Sequence, residues 1–427
     1  MAITDKEEGV WELEEVYNKQ NQGGIWSYNA VDPYRLFAWG QNDDQNLGLN
    51  DRTNRSSPTQ IPGTNWGGGK DMPYSNWFHS GSGSCVLSLK QDGTIWRWSE
   101  GKNGTSGANV PNYTWPSSPI QIGTDSDWYQ LGGSPSNVVA VKSDGSLWSW
   151  GSNTKGQLGL NFAFVSPPNQ QQRSSPCQIG TDTDWDTPIP TGTSERCMAL
   201  KTDGTLWVWG ETSGLNNNPL VRSSPTQIPG TTWTSGGTGS SPASRFVKSD
   251  GTLWTWGNNG RGELGLNQQA GYGSEGYSYS SPIQVGTDTT WKSNYQFGVS
   301  GGAQGALALK TDGTLWSWGY NNVGQLGQNQ GPGNFSGSIS SPTQIPGTNW
   351  DSVSMDGSSA FATKTDGTMW VWGRNLYGSL GLNQSSNPAP NFANQKKYSS
   401  PTQLPGTDWS VVLANKHRQV YGLKEGT

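Results

Sequence analysis

One cassette recurs seven times along this chain, and a repeat of that kind limits the fold to architectures built from seven like units. Its cleanest copy runs ALKTDGTLWSWGYNNVGQLG from Ala308 to Gly327, followed by SSPTQIPGTNW from Ser340 to Trp350. The W-x-W-G step places its second Trp at Trp39, Trp98, Trp150, Trp209, Trp256, Trp318 and Trp372, with Ser99 replacing the Gly once. The S-S-P step recurs at Pro58, Pro119, Pro176, Pro225, Pro282, Pro342 and Pro401. A third landmark follows each: Trp66, Trp128, Trp185, Trp233, Trp291, Trp350 and Trp409.

Every local signal in the cassette is β. Asp-Gly between two alternating apolar runs, as at Asp203-Gly204, is a hairpin signal because Gly takes the positive φ of a tight turn. The S-S-P run, the run after the third-landmark Trp, the A-L-K run and the L-W-x-W-G run make four antiparallel strands per repeat. A four-stranded sheet buries both faces only by stacking on neighbours, and stacking radially protects its edges, so the expected fold is an all-β, seven-bladed β-propeller over residues 34–427. The chain ends in an A-L-K-type strand cut off at its turn, Val420 to Gly426, and begins its first repeat at Leu36 to Gly40, an L-W-x-W-G-type strand without a partner. Joined, these ends complete one blade, and the expectation is closure by one N-terminal and three C-terminal strands.

Composition narrows the function. Twenty of the 24 Trp fall on repeat landmarks, leaving Trp11, Trp26, Trp77 and Trp115, so the aromatic content is core material. A net charge of −5, with no basic run longer than Lys396-Lys397, argues against binding nucleic acid. No apolar stretch approaches a membrane span, and the first residues lack a secretion signal, so a chain made in a cytoplasm and not inserted in a membrane is expected. Cys85, Cys177 and Cys197 form no C-x-x-C pair and read as buried inert thiols, two of them at one repeat position. His79 and His417 have no partners at metal-ligand spacing, so no metal site is expected. With most Asp residues used in turns and two His in all, no catalytic constellation or cofactor site emerges; Glu211, Glu263 and Glu275 remain as loop acids that a glycosidase pair would need. The expectation is a protein that binds without catalysing.

The D-G-T-L-W-x-W-G-x-N-x-x-G-Q-L-G signature resembles the repeat of the regulator-of-chromosome-condensation family over roughly Tyr34 to Thr427. The resemblance implies the propeller; because family members serve as exchange factors, photoreceptors and enzyme inhibitors, it leaves function open. A second resemblance is shorter. Residues 1–33 lie outside the repeats, and GVWELEEVY within them is similar to a leader of structural proteins in tailed, especially marine, bacteriophages. Thr4 and Glu7 form a capping box, and Val10, Leu13 and Tyr17 share one face, so a short helix is predicted. Val10, Trp11, Leu13, Val16, Tyr17 and Trp26 are the candidate docking residues, either against the chain's own propeller or on a larger particle.

Strand parity assigns loops to faces. The Asp-Gly turns and Pro-Gly-Thr connections share one face and scarcely vary, whereas the connections before each S-S-P strand vary on the other, as do those following the third-Trp strand, of which Gly67 to Ser84 is the longest. Non-repeat aromatics gather in the varied inserts: Phe162, Phe164, Tyr272, Tyr277, Tyr279, Phe335, Phe392 and Tyr398. Such rings either pin their own loops or form a recognition surface, and the face as a whole reads as recognition. Two functions follow. One is a virion component, a tail or capsid appendage whose leader docks on other virion proteins and whose variable face meets a host surface glycan or protein. The other is a soluble regulator or inhibitor, cytoplasmic, that binds a partner protein.

Overall fold

The computed structural model describes residues 34–425 apart from 68–76, 80–84, 100, 102–103, 110–114, 163–171, 193–194, 212–220, 239–242, 269–277, 294–304, 331–336, 385–395 and 415–417. The docking residues proposed between Val10 and Trp26, and the helix expected there, lie outside the described residues.

Seven antiparallel sheets form the ring. One complete blade comprises Trp350–Met355, Ser359–Lys364, Met369–Arg374 and Lys397–Leu404, paired in that order. The third-Trp strand is thus innermost, and bridges between successive copies of it, Gly133 to Pro190 and Thr191 to Thr238, line the axis. The S-S-P strand is outermost and pairs with the L-W-x-W-G strand that precedes it, with a bulge at the Gly of W-G. One sheet shows three described strands, Gly305–Leu309, Leu315–Gly319 and Ile339–Ile345; its Trp291 bridges Lys310 as Trp66 bridges Lys90.

That order corrects the expected closure. Arg35–Gly40 and Arg55–Gln60 from the N-terminus pair with Trp409–Ala414 and Gln419–Lys424, so the shared blade takes two strands from each end of the chain. The S-S-P strand hydrogen-bonds backwards, to the strand before it, so Lys397–Leu404 belongs to the preceding blade. A second correction concerns Gly67 to Ser84. This segment is not a single connection, because Trp77–His79 pairs with Val86–Leu89 as the inner strand of its blade.

Blades are joined by the second Trp of each W-x-W-G. Its ring is fully buried in all seven copies, and in six of them, all but Trp256, its Nε1 donates to a carbonyl in the loop of the preceding blade: Trp98 to Asn46, Trp150 to Thr105, Trp209 to Gln157, Trp318 to Glu263, Trp372 to Gln325 and Trp39 to Ser379. The last of these closes the ring. Burying one indole gives about 5 kcal/mol of gross hydrophobic stabilisation, and the N–H fixes the direction of stacking. The loop that receives it is shaped by the repeat Asn, whose Oδ1 accepts the backbone N–H of the Leu five residues on, as in Asn42 to Leu47 and Asn321 to Leu326. Glycine is required beside it: Gly107 has φ +65°, and a Cβ there would lie 2.8 Å from Trp150 Nε1.

Cys85 and Cys197 are buried, and burial pushes both thiols up to about 12. They do not share a repeat position, since Val86 pairs with Trp98 where Cys197 pairs with Trp209, which sets Cys85 one residue earlier. Cys177 is only partly buried, on an outer strand whose one side faces solvent.

Candidate binding face

The face carrying the Asp-Gly turns is built from one bonded unit. The residue after each A-L-K lysine donates its N–H to the carbonyl of the residue before the third Trp: Gln91 to Asn65, Ser143 to Asp127, Thr202 to Asp184, Ser249 to Thr232, Thr311 to Thr290, Thr365 to Asn349 and Glu425 to Asp408. Within the turn, Asp Oδ1 accepts the hydroxyl and N–H of the residue two on, and that hydroxyl accepts the first Trp's Nε1, as in Asp203, Thr205 and Trp207. These bonds hold the carboxyls of Asp144, Asp203, Asp250, Asp312 and Asp366 below the usual carboxylate range.

Above each turn, the lysine lies across two indoles. Lys201 Nζ is 4.8 Å from the Trp185 ring centre and 5.0 Å from that of Trp207, and the third Trp meets both other indoles edge-on, at 5.9 and 6.4 Å in this blade. Copies occur at Lys90, Lys142, Lys248, Lys310 and Lys364, and Lys424 spans Trp409 and Phe37. An ammonium over an indole face is stabilised by the ring quadrupole. The sequence reading missed this unit although its signal was present, a Lys two residues before every Asp-Gly.

The opposite face is made of the connections on either side of the S-S-P and third-Trp strands. They interlock at the start of four loops: Gln41 N–H to Arg418, Ser152 to Ser136, Glu211 to Glu195 and Arg374 to Ser358. Six loops also donate an Asn N–H to the S-S-P strand of the next blade, as in Asn161 to Ser223 and Asn329 to Ser399; beyond these bonds, each loop has its own contacts. Arg261 lies 4.1 Å above the Tyr320 ring, and Arg418 lies 5.1 Å from Tyr377.

Three of the predicted recognition aromatics are described. Tyr279 and Tyr398 occupy the same repeat position, paired with Gly257 and Gly373, and each hydroxyl donates to a Gln at the start of its own loop: Tyr279 to Gln268 at 2.8 Å, Tyr398 to Gln384 at 3.0 Å. Phe162 lies 5.0 Å beneath the guanidinium of Arg173, at the far end of its loop. All three are half-buried and bind the neck of their own insert. Phe164, Tyr272, Tyr277, Phe335 and Phe392 lie outside the described residues.

This face also carries buried charge. Arg245 and Arg196 are almost fully buried and donate from Nε to the carbonyls of Glu263 and Glu211; burial lowers both guanidiniums to about 10. The Glu263 side chain is wholly buried, accepts the Arg261 N–H at 2.7 Å and is raised by burial. It stands where other copies carry Gln157 or Gln325, whose side chains accept the equivalent N–H, so its role is to shape the loop. Glu195 is raised by burial and by a hydrogen bond with Glu211; Glu275 lies outside the described residues. Asp356 is buried, accepts the N–H groups of Ser358 and Ser359 on Oδ1, and is raised by burial to about 6. A cavity of about 460 Å³ opens between two blades, against Trp185, Trp207, Asn161 and Gln178.

The sequence matches the regulator of chromosome condensation (RCC1) repeat at residues 35–66, 144–189 and 312–355, and a second pattern of the same repeat at 298–325. The ultraviolet-B receptor UVR8 of Arabidopsis thaliana is 25% identical over 355 residues, which span 82% of this chain and 74% of the receptor. The mitochondrial RCC1 domain-containing protein RUG3 of the same plant is 24% identical over 290 residues, 63% of this chain and 59% of that protein. Among solved structures, Prp20p of Saccharomyces cerevisiae superposes with a TM-score of 0.70 at 16% identity, covering 93% of this chain and 92% of that one.

Proposed function

We propose that this seven-bladed propeller of regulator of chromosome condensation repeats is a protein-binding platform that recognises its partner through the face of variable loops. The observation that carries this reading is the division of labour between the faces. Backbone bonds tie the turn after each lysine to its neighbouring connection in all seven blades, whereas on the other face the repeated bonds hold only the first part of each connection before S-S-P, as in Asn161 N–H to Ser223 and Asn329 to Ser399, and the inserts beyond differ in length and chemistry. A surface released from holding the fold is where specificity can reside. The similar proteins support the same reading. One is a receptor, and the yeast propeller is described with its binding properties to Gsp1p and histones.

A soluble regulator or inhibitor that engages a partner protein therefore takes precedence over a virion appendage. The virion reading, with its host glycan and neighbouring virion proteins, rests on the sequence of residues 1–33 and on the weakly charged, Gly-rich composition of the blades.

Affinity capture from lysate of the source cell tests the proposal. A variant with segments 163–171, 269–277 and 385–395 each replaced by a Gly-Ser linker of equal length is expected to fold and to lose a stoichiometric protein that the parent chain retains. Equal recovery of that protein by both would sink the proposal.

A further inference from the structure

The lysine-indole units of the uniform face fall into two classes, and the difference assigns a second surface. In three blades the connection reads I/V-G-T-D-x-D/T-W, and its own carboxylates reach the lysine: Asp125 and Asp127 at 2.8 and 3.1 Å from Lys142 Nζ, Asp182 and Asp184 at 2.6 and 2.9 Å from Lys201, Asp288 at 2.9 Å from Lys310. Burial alone would lower Lys142 and Lys201, but these bonds prevail and hold both above the usual lysine range. In the other four blades the connection is one residue shorter and reads P-G-T-x-W, and Lys90, Lys248, Lys364 and Lys424 have no ion pair among the described residues. There burial prevails at Lys90 and Lys424, which are lowered although Asp92 and Asp408 act on them through space.

Three of the four unpaired lysines are consecutive around the ring. Lys364, Lys424 and Lys90 belong to adjacent blades, the middle one being the blade that closes the ring, whereas Lys248 stands between the satisfied Lys201 and Lys310. The indole N–H groups of Trp350, Trp409 and Trp66 are buried and have no acceptor, as are those of Trp185 and Trp291 in the paired units, so the free ammonium is what sets this arc apart. The ammonium and the N–H border one space. A Cβ built on Gly347 would lie 3.6 Å from Trp350 Nε1 and 3.7 Å from Lys364 Nζ; on Gly406 it would lie 3.2 Å from Lys424 Nζ and 3.9 Å from Trp409 Nε1. A partly exposed ammonium that lacks the carboxylate its counterparts Lys142, Lys201 and Lys310 have calls for an anionic acceptor.

We propose that the arc of Lys364, Lys424 and Lys90 is a docking surface for an acidic stretch of a protein partner, whose Asp or Glu carboxylates take the places that Asp125, Asp127, Asp182, Asp184 and Asp288 fill in the other blades. The chain itself supplies the template, because an identical lysine-indole unit accepts a carboxylate wherever the connection is long enough to bring one. The surface lies opposite the variable loops, so it stands or falls independently of the recognition reading above.

Fluorescence anisotropy with a labelled nonapeptide of Asp, Glu and Gly tests it, beside a matched peptide in which Asn and Gln replace the acids. The full chain should bind the acidic peptide, more weakly as salt is raised. The triple variant Lys364→Gln, Lys424→Gln, Lys90→Gln should weaken binding about tenfold, at the strength of partly exposed ion pairs. A second variant guards against misfolding: residues 346–349 replaced by the sequence of residues 180–184, which brings the chain's own carboxylates to Lys364 and should weaken binding about threefold with every lysine intact. Failure of the parent chain to bind, equal binding of the amide peptide, affinity unchanged in both variants, or displacement by an equal concentration of inorganic phosphate would each overturn the proposal.

Discussion

On the face of the Asp-Gly turns, seven lysines lie between aromatic rings and seven backbone bonds tie each turn to the next connection; on the opposite face, loops of unequal length are held at their necks by a Tyr and a Gln in two blades and a Phe and an Arg in another. The same four-stranded unit produces both faces. The difference teaches that the repeat's invariant residues are spent where strands and blades must register, and that sequence is free to drift only where a connection joins two strands already paired deeper in the blade.

The sharpest way to break that comparison is to remove a blade joint. Trp372→Ala deletes a ring with no exposed surface and the N–H bond to Gln325. It should destabilise the ring by about 3–5 kcal/mol, the usual cost of a large aromatic removed from a core. Urea unfolding followed by Trp fluorescence measures it; a loss no larger than that of a loop variant would mean that the blades are held chiefly by something other than these indoles.

Much of this was legible in the sequence. Trp landmarks at seven registers gave the blade count, and the Asp-Gly turns gave the hairpins, because each reflects a local rule. The closure was misjudged because the S-S-P strand carries no mark of which neighbour it pairs with: Pro401 and Gln403 look the same whether Lys397–Leu404 opens a blade or ends one, and only the register with Met369–Arg374 decides. Trp77 was set aside as lying outside the repeat, because the insertion at 67–76 separates its strand from Trp66. On the candidate face, the equivalence of Tyr279 and Tyr398 was visible beside S-S-P, whereas their hydroxyl partners Gln268 and Gln384 lie across the loops and follow from no local pattern.

Buried charge sharpens the contrast, since Asp356, Glu263, Arg196 and Arg245 all lie towards the variable face. Asp356 is raised from 3.8 to about 6 by burial, so the folded chain holds its proton more tightly than the unfolded chain does. Its contribution to stability is complete below pH 3.8 and is lost as pH rises through about 6. An Asn keeps an oxygen for the Ser358 and Ser359 N–H groups without the charge. Asp356→Asn should therefore gain on the order of 1–3 kcal/mol over the parent at pH 7.5 and nothing at pH 3.5. Paired urea titrations at the two pH values check this; a gain independent of pH would remove the carboxylate as its cause.

A smaller effect is expected at the loop junction between blades on the variable face. Asn321→Ala leaves the buried Leu326 N–H without its acceptor, a loss of about 1–2 kcal/mol. If thermal unfolding were unchanged, the bond to Leu326 would not be what holds this loop.

The smallest effect is the one that bears on recognition. Tyr398→Phe and Tyr279→Phe each remove a hydroxyl from a partly exposed bond to Gln384 or Gln268 while keeping the ring in place. Each should cost less than about 1 kcal/mol of stability. If these tyrosines serve only to close their loops, hydrogen exchange should rise at the loop necks, and partner capture should fall in proportion to that loosening in both variants. A Phe variant that leaves exchange at the neck unchanged yet abolishes capture would show the hydroxyl meeting the partner directly, which would move these two rings from the frame of the face into its binding surface.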